Sequence, residues 1–191
     1  VQAVERLDGD DQGIVSLVGI EYLTGVRLVH LNGNQISDLT PLSHLSQVVW
    51  LSLNANQLDD DDLPALAPLV HLNGLWLDDN SLTDLSPLAG LTRLQELRAN
   101  GNQIVDLRPL AGLTQLEWLL LGRNQIRDLS PLSGLTKLRE LALSRNQIED
   151  ITPILGLTRL EQLRLIGNPL DEAARNLHLP ALRTRGVEVS F

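Results

Sequence analysis

A unit of 22 residues recurs along the chain, and this repeat constrains the fold more than any other feature of the sequence. A representative copy spans residues 116–137 and reads LEWLLLGRNQIRDLSPLSGLTK. Aligned copies begin at positions 4, 26, 48, 72, 94, 116, 138 and 160, so one spacing is 24 residues and the others are 22. The apolar residues of one copy cannot close a core alone, and such copies are stable only when they stack. The sequence therefore predicts a solenoid.

Each copy has two halves that differ in their apolar spacing. The first half follows LxxLxLxxNxI, and its period of two predicts a short strand with inward-facing leucines. The second half, DLxPLxxLt, is apolar at every third residue, which favours a 3₁₀ or irregular turn. Prolines at positions 41, 87, 109, 131 and 153 also disfavour a longer helix. Because all copies run in the same direction, we expect the strands to pair in parallel on one face.

An asparagine follows the strand in seven of the eight copies. Its short amide can satisfy backbone groups that a buried turn would leave without a partner, so we predict a structural role. This asparagine column consists of Asn34, Asn56, Asn80, Asn102, Asn124, Asn146 and Asn168.

The pattern LxxLxLxxNxIxDLxPLxxLtx resembles the leucine-rich repeat family over residues 4–168. Its 22-residue DLSPL variety is similar to the bacterial internalins and to the phosphatase-regulating repeat proteins. The resemblance implies an α/β fold of a particular kind, a right-handed solenoid bent into a horseshoe. A parallel β-sheet would form the concave face, with 3₁₀ or irregular turns on the convex face. It also implies a protein that holds other proteins.

The repeat shows no interruption at which a second domain core could begin, so we expect a single domain over residues 1–191. Residues 4–25 would form an N-terminal capping unit, residues 26–159 six repeats, and residues 160–191 the last strand and a C-terminal cap. In the first unit Gly9 replaces a core leucine and Gln12 replaces the asparagine. The tail reads as short helical turns and a strand, VEVSF, which would shield the last core layer.

The net charge of −9 is unevenly distributed along the chain. Residues 1–91 hold thirteen acidic residues against Arg6 and Arg27, whereas residues 92–191 hold eleven acidic and thirteen basic residues. An acidic field repels phosphate groups, so nucleic acid and anionic membranes are not expected partners, and a basic protein surface is favoured. The same charge is also consistent with solubility alone.

The composition carries few signals of location or cofactor chemistry. The protein has no cysteine, which excludes disulfides and thiolate metal sites. It has no apolar run of about 18 residues and no signal-peptide pattern. We expect a monomer without cofactors or membrane insertion, and we favour a secreted or cell-surface location.

Binding side chains are expected at the alternate strand positions that point away from the core. These positions form three columns along the stacked units. The first column holds Arg6, Leu28, Trp50, Gly74, Glu96, Trp118, Glu140 and Gln162. The second holds Asp8, His30, Ser52, Trp76, Arg98, Leu120, Ala142 and Arg164. The third holds Asp10, Asn32, Asn54, Asp78, Asn100, Gly122, Ser144 and Ile166. We expect the side chains of all three columns to take no part in the core.

All three tryptophans fall in the first two columns, where we expect exposed indoles in an apolar patch with Leu28, Leu120 and Ile166. Tryptophan and arginine are the residue types that dominate binding at protein interfaces. The sequence therefore predicts a module that grips a protein or peptide partner on the concave face. The alternative is a consensus-like or engineered repeat scaffold with no ligand of its own. The predicted partner-binding residues are Leu28, His30, Trp50, Trp76, Glu96, Arg98, Trp118, Leu120, Glu140 and Arg164.

Two other groups of residues resemble chemical sites. Asp8, His30 and Ser52 lie on successive predicted strands and have the residue types of an acyl-transfer triad. The face is open and offers no amide nest for an oxyanion, so we expect no enzymatic activity. The run of four aspartates at 59–62 lacks the spaced ligands that calcium needs, so we expect no metal site. Asp62 is predicted instead to cap a short helix that begins near Pro64.

Overall fold

The computed structural model describes residues 4–191 and contains one sheet of nine parallel strands in sequence order. Each strand has three residues, and equivalent residues of successive units lie side by side, as Leu28 does with Trp50. This register confirms the predicted parallel sheet and the alignment of the repeats. The strands are β1 (Arg6–Asp8), β2 (Leu28–His30), β3 (Trp50–Ser52), β4 (Gly74–Trp76), β5 (Glu96–Arg98), β6 (Trp118–Leu120), β7 (Glu140–Ala142), β8 (Gln162–Arg164) and β9 (Glu188–Ser190).

Short 3₁₀ helices lie between the strands, as the apolar spacing predicts. Six of the seven have proline at their first or second position, where the missing N–H has no helical partner in any case. The 3₁₀ helices span Ile20–Tyr22, Thr40–His44, Leu63–Leu66, Ser86–Leu88, Arg108–Leu110, Ser130–Leu132 and Thr152–Ile154.

The C-terminal tail closes the stack with a π-helix, Ala174–His178, and an α-helix, α1 (Leu179–Thr184), before β9. Leu179 and Leu182 are fully buried against the last repeat. Arg185 donates hydrogen bonds to the Leu155 and Leu157 carbonyl oxygens, at 2.6 and 2.9 Å. The tail therefore covers both the apolar end of the core and its free carbonyl groups.

One continuous apolar core runs from Leu17 to Val187. Its leucines are almost completely buried because each repeat packs between two similar neighbours. The first unit is different, since Val18 and Tyr22 are 81% and 82% exposed. Burial is thus lowest at the N-terminal edge of the described residues.

The asparagine column forms the buried ladder that its position predicts. The Asn124 side-chain NH₂ donates to the Ala99 and Leu121 carbonyl oxygens at 2.9 and 3.0 Å. Its Oδ1 atom accepts the Ile104 backbone N–H at 2.9 Å. Each amide therefore joins two units and satisfies backbone groups where the backbone turns into the core. The bonds recur at Asn34, Asn56, Asn80, Asn102, Asn146 and Asn168.

The aspartate of the DLxPL motif has a structural role that the repeat pattern alone did not reveal. Asp128 Oδ1 accepts the Ser130 backbone N–H at 2.8 Å and so orients the start of the next 3₁₀ helix. Hydrogen bonds from the Ser130 side chain and backbone lower the pKa of Asp128. The same bond forms at Asp38, Asp84, Asp106 and Asp150.

The 24-residue unit accommodates its two extra residues in a tight acidic turn. Asp60 accepts backbone N–H groups from Thr83 and Asp84 at 2.7 and 3.0 Å. Asp62 lies at the N-cap position of the helix Leu63–Leu66, as predicted, but its carboxylate forms no capping bond and instead accepts the Asp59 N–H at 3.0 Å. The aspartates thus build a turn and tie it to the following unit.

Within residues 4–191, no cluster of three or more His, Asp or Glu side chains is arranged to hold a metal ion. No helix in this part of the protein is both long and apolar enough to cross a membrane.

Candidate binding face

The concave face is the surface that carries the first and third residues of each strand. Large and small side chains alternate across its centre. Gly74 lies beside Trp50 in the sheet, and Ser52 lies beside Trp76. The two small residues leave room for both indoles to lie across the strands.

Gly74 is needed for the position of Trp50. A β-carbon added at residue 74 would lie 2.5 Å from the Trp50 Cζ3 atom, well inside van der Waals contact. The Trp50 ring therefore lies over the backbone of β4. There it meets Trp76 edge to face, with ring centroids 5.4 Å apart and planes at 78°. Such a pair contributes about 0.5–1.5 kcal/mol beyond the area it buries.

Glu96 and Arg98 hold Trp76 from the other side. The Trp76 indole N–H donates to Glu96 Oε1 at 2.9 Å, and Arg98 Nε donates to the same oxygen at 2.6 Å. The Arg98 guanidinium carbon lies 4.1 Å from the centre of the Trp76 ring, a cation–π contact. We call Trp50, Trp76, Glu96 and Arg98 the tryptophan cluster.

The indoles are less exposed than expected from the sequence. Trp50, Trp76 and Trp118 are all half-buried. Trp50 and Trp76 cover each other, and Arg98 covers one face of Trp76. The cluster is therefore a fixed group rather than a set of free side chains.

The other predicted site residues flank the tryptophan cluster. Leu28 and His30 are half-buried on the N-terminal side, next to Trp50 and Ser52 in the sheet.

A second group lies on the C-terminal side, where β6, β7 and β8 carry Trp118, Leu120, Glu140 and Arg164. Arg164 and Glu140 form an ion pair at 2.7 Å. Trp118 lies outside the Trp50–Trp76 ring pair, and its indole N–H, like that of Trp50, has no acceptor among residues 4–191. Ile166, at the end of the third column, is 54% exposed.

The third column lies outside the apolar core but has a structural role in its first five units. Asp10 Oδ1 accepts the Asn32 backbone N–H, and each following side chain accepts the N–H of the equivalent residue in the next unit. These distances are 2.6–2.9 Å and continue to the Gly122 N–H. The recurrence of Asp or Asn at this position is the sequence feature from which this structural role could have been predicted. We call this series, Asp10, Asn32, Asn54, Asp78 and Asn100, the Asx ladder.

The residues of the triad-like group do not form a catalytic arrangement. Ser52 is completely buried, and its hydroxyl donates to Asn32 Oδ1. Asp8 pairs instead with Arg6 at 2.8 Å, and hydrogen bonding to that guanidinium lowers the pKa of Asp8. The nucleophile position is thus inaccessible and engaged in the Asx ladder.

The repeat pattern matches a known family over much of the sequence. The family described as leucine-rich repeats (2 copies) matches residues 70–112, 114–155 and 136–177. The chain belongs to the leucine-rich repeat family. Its repeats are of the internalin-like type, as the sequence pattern predicted. No curated protein sequence matches this leucine-rich repeat protein significantly.

Solved structures show the same solenoid. Internalin C2 of Listeria monocytogenes is 38% identical with a TM-score of 0.85, over 91% of this chain and 76% of that one. An internalin of the same organism, internalin F, is 32% identical with a TM-score of 0.75, over 94% of this chain and 58% of that one. A Leptospira interrogans leucine-rich repeat protein is 29% identical with a TM-score of 0.80, over 90% of this chain and 44% of that one.

Proposed function

We propose that this leucine-rich repeat protein binds a protein or peptide partner on its concave face, with the tryptophan cluster at the centre of the contact. Leucine-rich repeat proteins generally mediate protein–protein interactions. The observation that carries the proposal is the ordering of Trp50, Trp76 and Arg98 on a face that contributes nothing to the apolar core.

Pre-organisation is the physical reason for placing the contact there. Fixing a free side chain on binding costs about 0.5–1.5 kcal/mol, and the tryptophan cluster is already ordered by Gly74 and Glu96. Tryptophan and arginine then offer large, partly dehydrated surfaces of the kind that dominate interfaces. Trp118 adds an indole N–H that is available to an acceptor on the partner.

The partner is expected to carry a charge distribution complementary to that of the protein along its length. The N-terminal half of the protein is strongly acidic, whereas bases outnumber acids in the C-terminal half. A partner with a basic region would be attracted to the first units. Nucleic acid and anionic membranes are poor candidates for the same reason, and we propose no enzymatic role.

Capture from lysate and surface fractions of the source organism tests the proposal with three baits. These are the wild-type protein, a Trp50→Ala/Trp76→Ala variant and an Arg127→Ala variant outside the concave face. We expect one partner to bind the wild-type and Arg127→Ala proteins and to be lost from the double variant. A partner that binds all three baits equally would place the interface elsewhere. If no specific partner is captured, that outcome would favour the alternative of a scaffold without a ligand.

A further inference from the structure

The Asx ladder stops part-way along the molecule. Its last bond joins Asn100 Oδ1 to the Gly122 backbone N–H at 2.7 Å. Gly122 has no side-chain oxygen to offer to the next unit. Among residues 4–191, the Ser144 backbone N–H consequently has no hydrogen-bond acceptor. The Ile166 N–H has none either, although Ser144 carries a hydroxyl group.

The position beside the Ser144 N–H is built for an oxygen atom. In the five preceding steps an Asp or Asn oxygen lies 2.6–2.9 Å from the equivalent backbone nitrogen. The backbone pairing continues unchanged past the break, since the Arg123 N–H still donates to the Ser144 carbonyl oxygen at 2.8 Å. The Ser144 N–H therefore keeps the position of the preceding ladder donors, although the protein supplies no acceptor for it.

Three arginines and two aspartates line a shallow depression at this break in the ladder. Gly122 and Ser144 line it together with Arg123, Arg145 and Arg164, and the carboxylates of Asp78 and Asp79 lie on its N-terminal side. Arg123 pairs with Asp79 and Arg164 pairs with Glu140, both within 2.7 Å. Arg145 is exposed and forms no ion pair among the described residues. Arg145 is therefore the cation of this depression that is available to an anionic oxygen, whose hydrogen bonds would be charge-assisted.

We propose that this break binds a carboxylate group, with one oxygen accepting the Ser144 N–H and Arg145 balancing the charge. The biological ligand would be a carboxylate of the partner, and to that extent the inference rests on the proposed function. An acidic side group and the C-terminus of a polypeptide offer the same chemistry. The site itself is testable without the partner.

The test is an NMR titration of the ¹⁵N-labelled protein with sodium acetate, matched against sodium chloride at equal ionic strength. We expect the Ser144 amide signal to shift with acetate in a saturating manner and to respond little to chloride. Gly122→Asn supplies the missing oxygen and should abolish most of that shift. Gly122→Ala adds the β-carbon without the oxygen and should retain it.

Arg145→Gln provides a variant that leaves the backbone of the ladder untouched. We expect it to weaken the acetate response several-fold while the Ser144 signal keeps its position in the free protein. A Ser144 signal that ignores acetate, or that responds equally in the Gly122→Asn and wild-type proteins, would overturn the proposal. An unchanged acetate affinity in Arg145→Gln would also contradict it.

Two small ligands distinguish the sources of the carboxylate. Acetyl-aspartate α-amide presents only a side-chain carboxylate, and acetyl-glycine presents only a terminal one. The ligand that saturates the Ser144 shift at the lower concentration identifies the source, and saturation by neither would count against the site. Because these probes do not contact the tryptophan cluster, their result is independent of whether that cluster binds a partner.

Discussion

At the residue scale, single polar side chains hold successive units together where the backbone leaves the sheet. Asparagine is well suited to this role because its amide donates and accepts at once. Asn124 uses both functions inside the core, where it is only 8% exposed. Leaving buried backbone groups without partners costs about 1–3 kcal/mol for each group.

Replacing Asn124 with alanine should therefore destabilise the protein severely. The Ile104 N–H would lose its acceptor. The Ala99 and Leu121 carbonyl oxygens would each lose one donor and keep the other, from Asn102 and Asn146. We expect a loss of about 1–3 kcal/mol in the free energy of unfolding, measured by urea denaturation. Asn124→Asp keeps the shape and the acceptor but loses the donors, so it should also destabilise. A urea midpoint close to that of the wild type in both variants would show that the asparagine column contributes little to stability.

Gly74→Ala tests the arrangement of the tryptophan cluster. The new methyl group would clash with the Trp50 ring and displace it from Trp76. We expect the near-UV circular dichroism of the coupled indoles to change, while the far-UV spectrum stays unchanged. Gly112→Ala is a matched control, because a β-carbon there meets no atom within 4 Å. An unaltered near-UV spectrum in Gly74→Ala would show that the rings do not interact.

At the element scale, each three-residue strand separates a core side chain from two side chains on the concave face. In β6, Leu119 is fully buried while Trp118 and Leu120 are half-buried. The leucine just after the strand, Leu121, is also fully buried.

Leu121→Ala should cost about 2–5 kcal/mol in the free energy of unfolding, because it opens a cavity in the middle of the stack. Trp118→Ala removes a larger side chain but opens no internal cavity, so its effect should be clearly smaller. Urea midpoints of the two variants provide the comparison. Equal losses would mean that Trp118 is a core residue.

The aspartates that precede the 3₁₀ helices make stability depend on pH. Hydrogen bonds lower the pKa of Asp38, Asp106, Asp128 and Asp150 in the folded protein. For Asp106, the Arg108 side chain is the largest cause. A lowered folded-state pKa stabilises the protein at pH values above the unfolded pKa, near 3.9. That stabilisation is lost as the pH falls through the folded pKa.

We therefore expect the urea midpoint to fall as the pH is lowered from about 5 to about 2.5. Burial is the main cause that raises the pKa of Asp62 and Asp78, and these two act in the opposite direction. Six aspartates have a lowered pKa in the folded protein, so the loss of stability on acidification should outweigh the gain from Asp62 and Asp78. Asp128→Asn keeps an acceptor for Ser130 without the charge and should flatten the dependence. A midpoint that is constant or rises on acidification would contradict this account.

The repeat allowed most elements to be predicted, because period-two and period-three spacings each recur seven or eight times. The features that escaped prediction depend on side-chain direction. The turn of Asp62 toward Asp59 and the mutual covering of Trp50 and Trp76 follow from local packing rather than spacing. The Asx ladder was visible as a column, but only the structure shows which backbone N–H each oxygen meets.

At the scale of the whole molecule, a uniform framework presents a varied face. The core and the asparagine column repeat from unit to unit, whereas the side chains of the first two columns differ in size and charge. The acidic N-terminal units, the central tryptophan cluster and the arginine-lined break in the Asx ladder follow one another along the face. A long partner would therefore meet three chemically different zones in a fixed order.

The dissociation constant of the captured partner tests the central claim most directly. It should be measured by calorimetry for the wild-type, Trp76→Ala and Arg127→Ala proteins. We predict that Trp76→Ala weakens binding by about 1–4 kcal/mol while leaving the fold intact, and that Arg127→Ala has no measurable effect. Equal affinities of the wild-type and Trp76→Ala proteins would contradict the assignment of the tryptophan cluster as the centre of the binding site.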